Sequence, residues 1–335
     1  MRGLVVRSLI SAVVSVCLVA CSGSTGSTGS TQPASAATTA GPTAAAPSTP
    51  AATPTARPST TPGPGDVVYD GRIDVGGNRK VEVRCVGIGS PTILLEGGGI
   101  TPSLDEYPYA FVNNLGQTTT TCHYSRAGGG TSSAPVGTRT MAGTVDDAYA
   151  MLAALESQAG IKGPYVFVGW SFGGTVALAE ALAKPKDTVG LVILDTGANT
   201  DFMATCLGSG RTQADCQKDY DADIEAKALG DELVPKMHPL PDIPLRLVTA
   251  MRQPSCSPAD PATLRADLNG RIVVAKDCSD LARIYAKDEL DGWSMVNPKL
   301  EQTLVDADHD GLIQQAGDEV SPIILDLVRK ARANP

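Results

Sequence analysis

The feature that most constrains this chain is a serine enclosed by glycines between a buried strand and a helix. Residues 165–168 are apolar, residues 169–173 read Gly-Trp-Ser-Phe-Gly, and residues 175–183 are rich in alanine. The two glycines give the clearance that a sharp strand–turn–helix connection needs, and such a turn exposes the hydroxyl of Ser171. The pattern predicts that Ser171 is a nucleophile, with the backbone N–H of Phe172 beside the oxyanion that forms during attack.

Strand-like and helix-like patterns alternate around this turn. Predicted strands cover 81–86, 92–96, 118–124, 165–168, 189–194, 244–249 and 300–305. Predicted helices cover 144–160, with Thr144 as the N-cap, 175–183 and 320–332. Alternation of this kind is typical of βαβ units around a parallel sheet, so we expect a mostly parallel, doubly wound α/β fold. Residues 199–243 are polar and acidic between two predicted strands, and we expect them to form an inserted helical lid.

A serine nucleophile needs a base, and the chain has only three histidines. His123 falls within a predicted strand before Ser171, which favours a structural role. His238 falls in the expected lid, where a surface role is the simpler interpretation. His309 follows the last predicted strand and precedes the terminal helix, as the chain order serine, acid, histidine requires. We predict that His309 is the base.

The acid that would orient His309 has two candidates. Asp195 ends the strand that follows the helix after Ser171, and Asp260 comes after the next predicted strand. Either carboxylate could stabilise the imidazolium. An aspartate at the end of a strand can also simply cap the next turn. We favour Asp195 and keep Asp260 as the alternative.

A second oxyanion donor is expected from the loop that follows an earlier strand. Glu96 ends the strand 92–96 and is followed by three glycines at 97–99. Glycine lets the backbone approach a ligand closely. We predict that the N–H of Gly98 or Gly99 is this donor.

Residues 306–313 match the first eight positions of a calcium-binding loop, with aspartate at positions 1, 3 and 5 and glycine at position 6. The twelfth position of such a loop is normally a bidentate glutamate. Here it is Gly317, so the residue that closes the coordination sphere is missing. We predict no metal site and no cofactor, with a calcium-stabilised fold as the alternative.

The first 66 residues have the composition of an export signal followed by a linker. Arg2 and Arg7 form a short positive region before an apolar run at 9–20, which is too short for a comfortable membrane span. Leu-Val-Ala-Cys at 18–21 resembles a bacterial lipobox, in which Cys21 becomes the lipidated first residue. Residues 22–66 are almost entirely small residues and proline, which predicts a disordered stalk. We expect an exported protein held by Cys21 on the outer face of a bacterial membrane, with a folded domain at 67–335.

The net charge and the number of cysteines indicate which binding partners and which cellular compartment suit this chain. The formal net charge is −9 with no cluster of lysine or arginine, which argues against a nucleic-acid partner. Six cysteines remain beyond Cys21, an even number that fits disulfides in an exported chain. Fifteen pairings are formally possible. We favour the three that join neighbouring strands or close short loops: Cys85–Cys122, Cys206–Cys216 and Cys256–Cys278.

Four runs of the sequence carry a resemblance to a known family: Leu-Leu-Glu-Gly-Gly-Gly at 94–99, Tyr-Ser-Arg-Ala-Gly at 124–128, the segment 163–174, and Gly-Leu-Val-Ile-Leu-Asp at 190–195. Together they resemble the α/β-hydrolases, most of all bacterial serine hydrolases with a Gly-Pro-Tyr-Val strand before the serine. The resemblance covers roughly residues 70–200 and resumes at 308–328. It implies hydrolysis of a small carboxylic ester through an acyl-enzyme on Ser171. Amide, thioester or lactone substrates are alternatives, and so is a non-catalytic binding lipoprotein on the same scaffold.

The sequence departs from that family pattern at two places. Glu96 stands where many relatives carry the histidine of a His-Gly pair. The segment after 244–249 lacks the familiar Gly-x-x-Asp, which keeps the choice of acid open. The oligomeric state is also left open by the sequence.

Overall fold

The computed structural model describes residues 62–197, 211–222, 243–268 and 271–334. The predicted signal peptide, the lipidation site at Cys21 and nearly all of the predicted linker lie outside the described residues. His238 and most of the predicted lid also lie outside them. Within the lid span, the structure describes one helix at Gln213–Ala222.

An eight-stranded sheet organises the described chain. Its strands are β1 Val67–Gly76, β2 Arg79–Val86, β3 Thr92–Glu96, β4 Thr121–Tyr124, β5 Tyr165–Trp170, β6 Thr188–Leu194, β7 Leu245–Ala250 and β10 Glu301–Val305, while β8 Arg265–Leu268 and β9 Arg271–Val274 form a separate antiparallel hairpin.

The spatial order of the large sheet is β1-β2-β4-β3-β5-β6-β7-β10. The antiparallel pairs are β1–β2 and β2–β4, and every pair from β4 to β10 is parallel. The prediction of a mostly parallel sheet is therefore confirmed.

Helices cover both faces of this sheet, so that the fold is doubly wound. The helices that the structure describes are α1 Tyr109–Gly116, α2 Met141–Ala159, α3 Phe172–Ala183, α4 Gln213–Ala222, α5 Cys278–Val296, α6 Gly311–Gln314 and α7 Gly317–Ala333. One apolar cluster joins the sheet to α2, α3 and α5, and a second joins the opposite face to α1, α6 and α7. Side chains along the central strand β5 alternate between the clusters, with Phe167 in the first and Val166 and Val168 in the second. Burial on both faces explains why the central strands are continuous apolar runs.

The predicted cap of α2 is wrong by one turn. The helix begins at Met141, and its N-cap is Thr140, whose hydroxyl accepts a hydrogen bond from the N–H of Gly143 at 3.1 Å. Thr144 lies inside the helix and its hydroxyl donates to the carbonyl of Thr140 at 3.0 Å. Met141 is buried in the core, and this packing extends the helix N-terminally from the predicted start to residue 141. The acidic pair after Thr144 made Thr144 look like the N-cap and concealed the earlier start.

The disulfides follow the predicted pairing where the structure describes both partners. Cys85–Cys122 joins the neighbouring strands β2 and β4, and Cys256–Cys278 closes a loop onto the start of α5. Cys216 is also disulfide-bonded, while its predicted partner Cys206 lies outside the described residues. Within the described ranges, no helix combines the length and the apolar character that crossing a bilayer would need.

Candidate active site

Ser171 occupies a sharp turn between the end of β5 and the start of α3. Its backbone has φ 54° and ψ −131°, a conformation that is sparsely populated for a non-glycine residue. The turn is held because the Ser171 N–H donates to the carbonyl of Leu194 at 3.0 Å, and its carbonyl accepts from the Thr196 hydroxyl at 2.7 Å. A Cβ at Gly169 would overlap the Gly173 carbonyl. The glycine pattern is therefore required by close backbone contact.

Asp195 and His309 meet at this same end of the sheet. The Nδ1 atom of His309 lies 2.7 Å from Oδ2 of Asp195, and Oδ1 of Asp195 accepts from the N–H of Ala250 at 2.7 Å. The Asp195 carboxylate is thus fixed by the end of β7 and presents its other oxygen to the imidazole. A proton on Nδ1 would leave Nε2 as the acceptor.

The charge state of His309 follows from this pairing. Burial lowers the pKa of His309, but the hydrogen bond from Nδ1 to Asp195 and the negative charge of Asp195 outweigh it, so the pKa is raised above its ordinary value. The side chain remains 43% exposed. A histidine whose pKa is raised in this way accepts a proton more readily than a free imidazole does.

Trp170 connects the His309 segment to the serine turn. Its indole Nε1 donates to the backbone carbonyl of His309 at 3.0 Å, and the two rings lie 5.1 Å apart. Because Trp170 directly precedes Ser171, this contact holds the loop that carries His309 against the turn that carries the serine. The structure therefore brings Ser171, His309 and Asp195 to one place.

The alternative acid and the other described histidine lie elsewhere. Asp260 caps a short 3-10 helix at Pro261–Leu264, where its carboxylate accepts from the N–H of Ala262 at 3.0 Å. His123 is buried on β4 with Nδ1 3.1 Å from the carbonyl of Leu104. Burial, followed by the positive charge of Arg84, lowers the pKa of His123 to about 4. Both side chains serve local structure.

The glycine loop after β3, from which we expect the second oxyanion donor, lies against the serine turn. A Cβ at Gly98 would lie 2.8 Å from the Trp170 ring and 3.3 Å from Cβ of Ser171, so the Gly98 backbone packs directly against the turn. Gly99 has φ 61°, and a Cβ atom at this position would meet no other atom within 4 Å. Phe172 begins α3, so that its N–H is at the helix N-terminus.

Two glutamates near this site were not identified by the sequence analysis, because no motif in the sequence marks them as site residues. Burial raises the pKa of Glu106 to about 7, against the opposing effects of the Gly98 N–H and the Arg126 charge. On α5, Glu289 accepts a hydrogen bond from the Thr249 hydroxyl at 2.6 Å. Burial and then the negative charge of Asp195 raise the pKa of Glu289 to about 8.

The aspartates of the calcium-like segment make local contacts. Asp306 pairs with Nε of Arg252 at 3.0 Å, and the carboxylate of Asp308 accepts from the Gly311 N–H at 2.7 Å. Across the described ranges, no three His, Cys, Asp or Glu side chains are grouped in a way that would hold a metal ion.

Comparisons with known proteins agree with the fold. The sequence model of the alpha/beta hydrolase family matches residues 97–323. The solved structure of mouse alpha/beta hydrolase domain-containing protein 10 is similar, at 15% identity and a TM-score of 0.53 over 78% of this chain and 99% of that one. An esterase of Pyrococcus furiosus is similar at 16% identity and a TM-score of 0.50, over 78% of this chain and 90% of that one.

A proline iminopeptidase of Mycobacterium smegmatis is similar at 14% identity and a TM-score of 0.50, over 78% of this chain and all of that one. No curated protein matches the chain by sequence. At such identities these structures share a fold, and the names esterase and iminopeptidase denote different substrates. The substrate therefore has to be argued from the site itself.

Proposed function

Since this chain belongs to the alpha/beta hydrolase family, we propose that it is a serine hydrolase that cleaves a carboxylic ester through an acyl-enzyme on Ser171. The observation that carries the proposal is the 2.7 Å contact between Asp195 and His309 beside the strained serine turn. Serine, acid and base follow one another along the chain in the order typical of this fold.

Acylation begins when Nε2 of His309 takes the proton of the Ser171 hydroxyl and the oxygen attacks the ester carbonyl carbon. The carbonyl oxygen becomes an oxyanion, which the N–H of Phe172 and an N–H of the loop at Gly98 or Gly99 stabilise. Asp195 holds the imidazole in the required orientation and stabilises its protonated form. The carbon–oxygen bond to the alcohol then breaks, and the alcohol leaves with the proton from His309.

Deacylation repeats the same steps with water as the nucleophile. His309 takes a proton from water, the hydroxide oxygen attacks the acyl carbon, and Ser171 leaves with the proton. The products are the acid and the free enzyme, so that atoms and charge balance with no cofactor. An amide, a thioester or a lactone could enter the same sequence, because each has a carbonyl carbon with a leaving group.

The proposed setting is the outer face of a bacterial membrane, with lipid on Cys21 and the stalk at 22–66 between the lipid and the enzyme. A small acyl compound is the proposed partner at the site. The acidic net charge of −9 does not favour nucleic acid.

A fluorophosphonate probe tests the nucleophile directly. The full chain should be labelled, and Ser171→Ala should abolish labelling while the thermal unfolding profile is retained. Ser132→Ala is a matched control, since Ser132 is a hydroxyl residue bound to the Ser125 carbonyl away from the turn. An unlabelled, well-folded wild type would instead identify a non-catalytic binding scaffold.

Activity on a series of nitrophenyl esters of increasing acyl length, compared with matched anilides and thioesters, tests the substrate class. Higher kcat/KM on the esters supports the proposal. Turnover of anilides at higher kcat/KM than the esters would reassign the enzyme as an amidase.

A further inference from the structure

The expected oxyanion loop contacts a buried arginine, which belongs to the Tyr-Ser-Arg-Ala-Gly run at 124–128 and to which the sequence analysis assigned no role. Arg126 follows β4, and its side chain is 1% exposed. Its Nη1 donates to the carbonyl of Gly99 at 2.7 Å, and its Nη2 donates to the carbonyl of Gly97 at 2.8 Å. The guanidinium therefore binds the carbonyls on both sides of Gly98.

The same guanidinium reaches the other half of the oxyanion hole. Its central carbon lies 5.3 Å from the ring centroid of Phe172, within the range of a cation–π contact. Phe172 supplies the second proposed donor through its backbone N–H. One side chain thus contacts both segments from which the donors come.

We propose that Arg126 is a positioning residue, which holds the glycine loop and the Phe172 segment in the arrangement that receives the oxyanion; the proposal rests on the proposed function. In a trans peptide the C=O and the N–H point in opposite directions. Fixing the Gly97 carbonyl fixes the direction of the Gly98 N–H. In this structure that N–H interacts with the Glu106 carboxyl, so the oxyanion would take the place of this carboxyl as the acceptor. The Gly98–Gly99 peptide, which carries the Gly99 N–H, lies between the bound carbonyls of Gly97 and Gly99. It is therefore restrained from both sides.

The loop needs such an external constraint because three successive glycines have wide conformational freedom. Glycine adopts positive and negative φ with similar ease, so a Gly-Gly-Gly segment has a large entropy to lose on ordering. Oxyanion stabilisation depends on donors that are already aligned before reaction. Arg126 supplies the alignment through a planar group with several donors in fixed geometry.

Glu96 anchors this arginine and explains a departure from the family pattern. Its Oε2 accepts from Arg126 at 3.0 Å and from the Tyr124 hydroxyl at 3.0 Å, and its side chain is fully buried. The position that carries histidine in many relatives therefore carries the counter-ion of Arg126 here. The carboxylate lies on the buried side of the loop.

Glu180 extends the cluster to the helix that carries the serine turn. It lies on α3, and its side chain is completely buried. Burial, followed by the negative charge of Glu96, raises the pKa of Glu180 well above its ordinary value, which favours the uncharged carboxyl. The buried ion pair of the cluster is the one between Arg126 and Glu96.

The test compares an ester with its thionoester analogue, in which sulfur replaces the carbonyl oxygen. Sulfur is a weak hydrogen-bond acceptor, so an aligned oxyanion hole favours the oxygen ester. In Arg126→Lys, which retains the charge but lacks the planar fork, kcat on the oxygen ester should fall by about 10² to 10³-fold. KM should change by less than about threefold and the thionoester rate should fall far less, so the ratio of the two rates should decrease.

Arg246→Lys is the matched control. Arg246 is also a buried arginine in ion pairs, with Glu301 at 2.8 Å and Asp326 at 3.1 Å, but it lies on β7 away from the glycine loop. Its substitution should leave the ratio of oxygen-ester to thionoester rates unchanged. A folded Arg126→Lys enzyme with an unchanged ratio would overturn the role of Arg126 while leaving the proposed function intact.

A second variant covers loss of folding. If Arg126→Lys does not fold, the double variant Arg126→Gln with Glu96→Gln removes both charges together and carries the same rate comparison. If neither variant folds, Arg126 is structural and the proposal is overturned. A wild type that hydrolyses neither ester and is not labelled at Ser171 overturns the proposed function and this inference with it.

Discussion

At the scale of single residues, the backbone conformation of the site is as informative as its side chains. Ser171 and Asp195 both have positive φ, 54° and 50°, and both directly follow parallel strands. Such conformations cost free energy and persist where surrounding contacts enforce them. Here the enforcing contacts are the hydrogen bonds from Ser171 to Leu194 and from Ala250 to Asp195. The site is therefore built into the ends of β5 and β6.

The choice between the two aspartates leads to a sharp prediction. Asp195→Asn should lower kcat on a nitrophenyl ester by about 10³ to 10⁴-fold, because the amide stabilises neither the required tautomer nor the imidazolium. Asp260→Asn should keep wild-type kcat, since asparagine caps a helix as well as aspartate does. Steady-state kinetics with thermal unfolding of each variant provide the measurement. A large loss in Asp260→Asn alone would reverse the assignment.

The sequence predicts the nucleophile better than the acid for a physical reason. The serine turn is a local feature, in which strand, glycines and helix agree within a short stretch of chain. The proposed acid is identified by a contact between Asp195 and His309, which are 114 positions apart in the sequence. Asp195 and Asp260 both follow strands, and only the three-dimensional course of the chain separates them.

At the scale of elements, every strand that is buried on both faces is predicted from the sequence. Thr92–Glu96 is identical in the sequence and the structure, because a short apolar run ended by glycine has one simple interpretation. The hairpin β8–β9 and the helix α5 have no counterpart among the predicted elements. The hairpin carries exposed apolar residues such as Ile272 and Val274, which blur the periodicity on which assignment depends.

The proposed role of Arg126 is also not predictable from the sequence. Its partners are two backbone carbonyls and Glu96, which lie 27 to 30 positions away. Backbone carbonyls are present at every residue, so no residue type in the sequence identifies them as partners. The buried Glu96 is visible in the sequence only as a departure from the family pattern.

Helix α5 leads to a prediction about the pH dependence of stability. The folded pKa of Glu289 is about 8, above its ordinary value. The protonated side chain of Glu289 therefore makes its full contribution to the free energy of unfolding at pH values below the pKa that Glu289 has in the unfolded chain. This contribution is lost as the pH rises through about 8. Glu289→Gln should raise the Tm relative to wild type at pH 9, by the equivalent of about 2 to 4 kcal/mol, and should change it little at pH 5.

Thermal unfolding at pH 5, 7 and 9 provides the measurement for Glu289→Gln. Glu156→Gln is the control, because Glu156 is an exposed carboxyl on the surface of α2. Its substitution should give a pH-independent difference in Tm. A Glu289→Gln difference that does not grow between pH 5 and pH 9 would contradict the buried, protonated state.

At the scale of the whole molecule, the described fold and the proposed anchor are independent in their physical requirements. Both apolar clusters of the sheet are formed within residues 73–328. The residues of the proposed catalysis, Ser171, Asp195 and His309, all lie in this part of the chain. The proposed attachment to a membrane would depend instead on acyl chains at Cys21, with each buried methylene contributing about 0.8 kcal/mol.

We therefore expect location and activity to separate in one substitution. In bacteria that process lipoproteins, the full chain should sediment with membranes and be released by detergent, because several acyl chains hold a protein far more firmly than one. Cys21→Ala should move the protein to the soluble fraction while kcat/KM on a soluble ester stays within about twofold of wild type. Cys17→Ala is the matched control, since Cys17 lies inside the predicted signal peptide and should leave the distribution unchanged. A soluble wild type, or a Cys21→Ala protein that still sediments with membranes, would refute lipid anchoring at Cys21 without touching the assignment of Ser171.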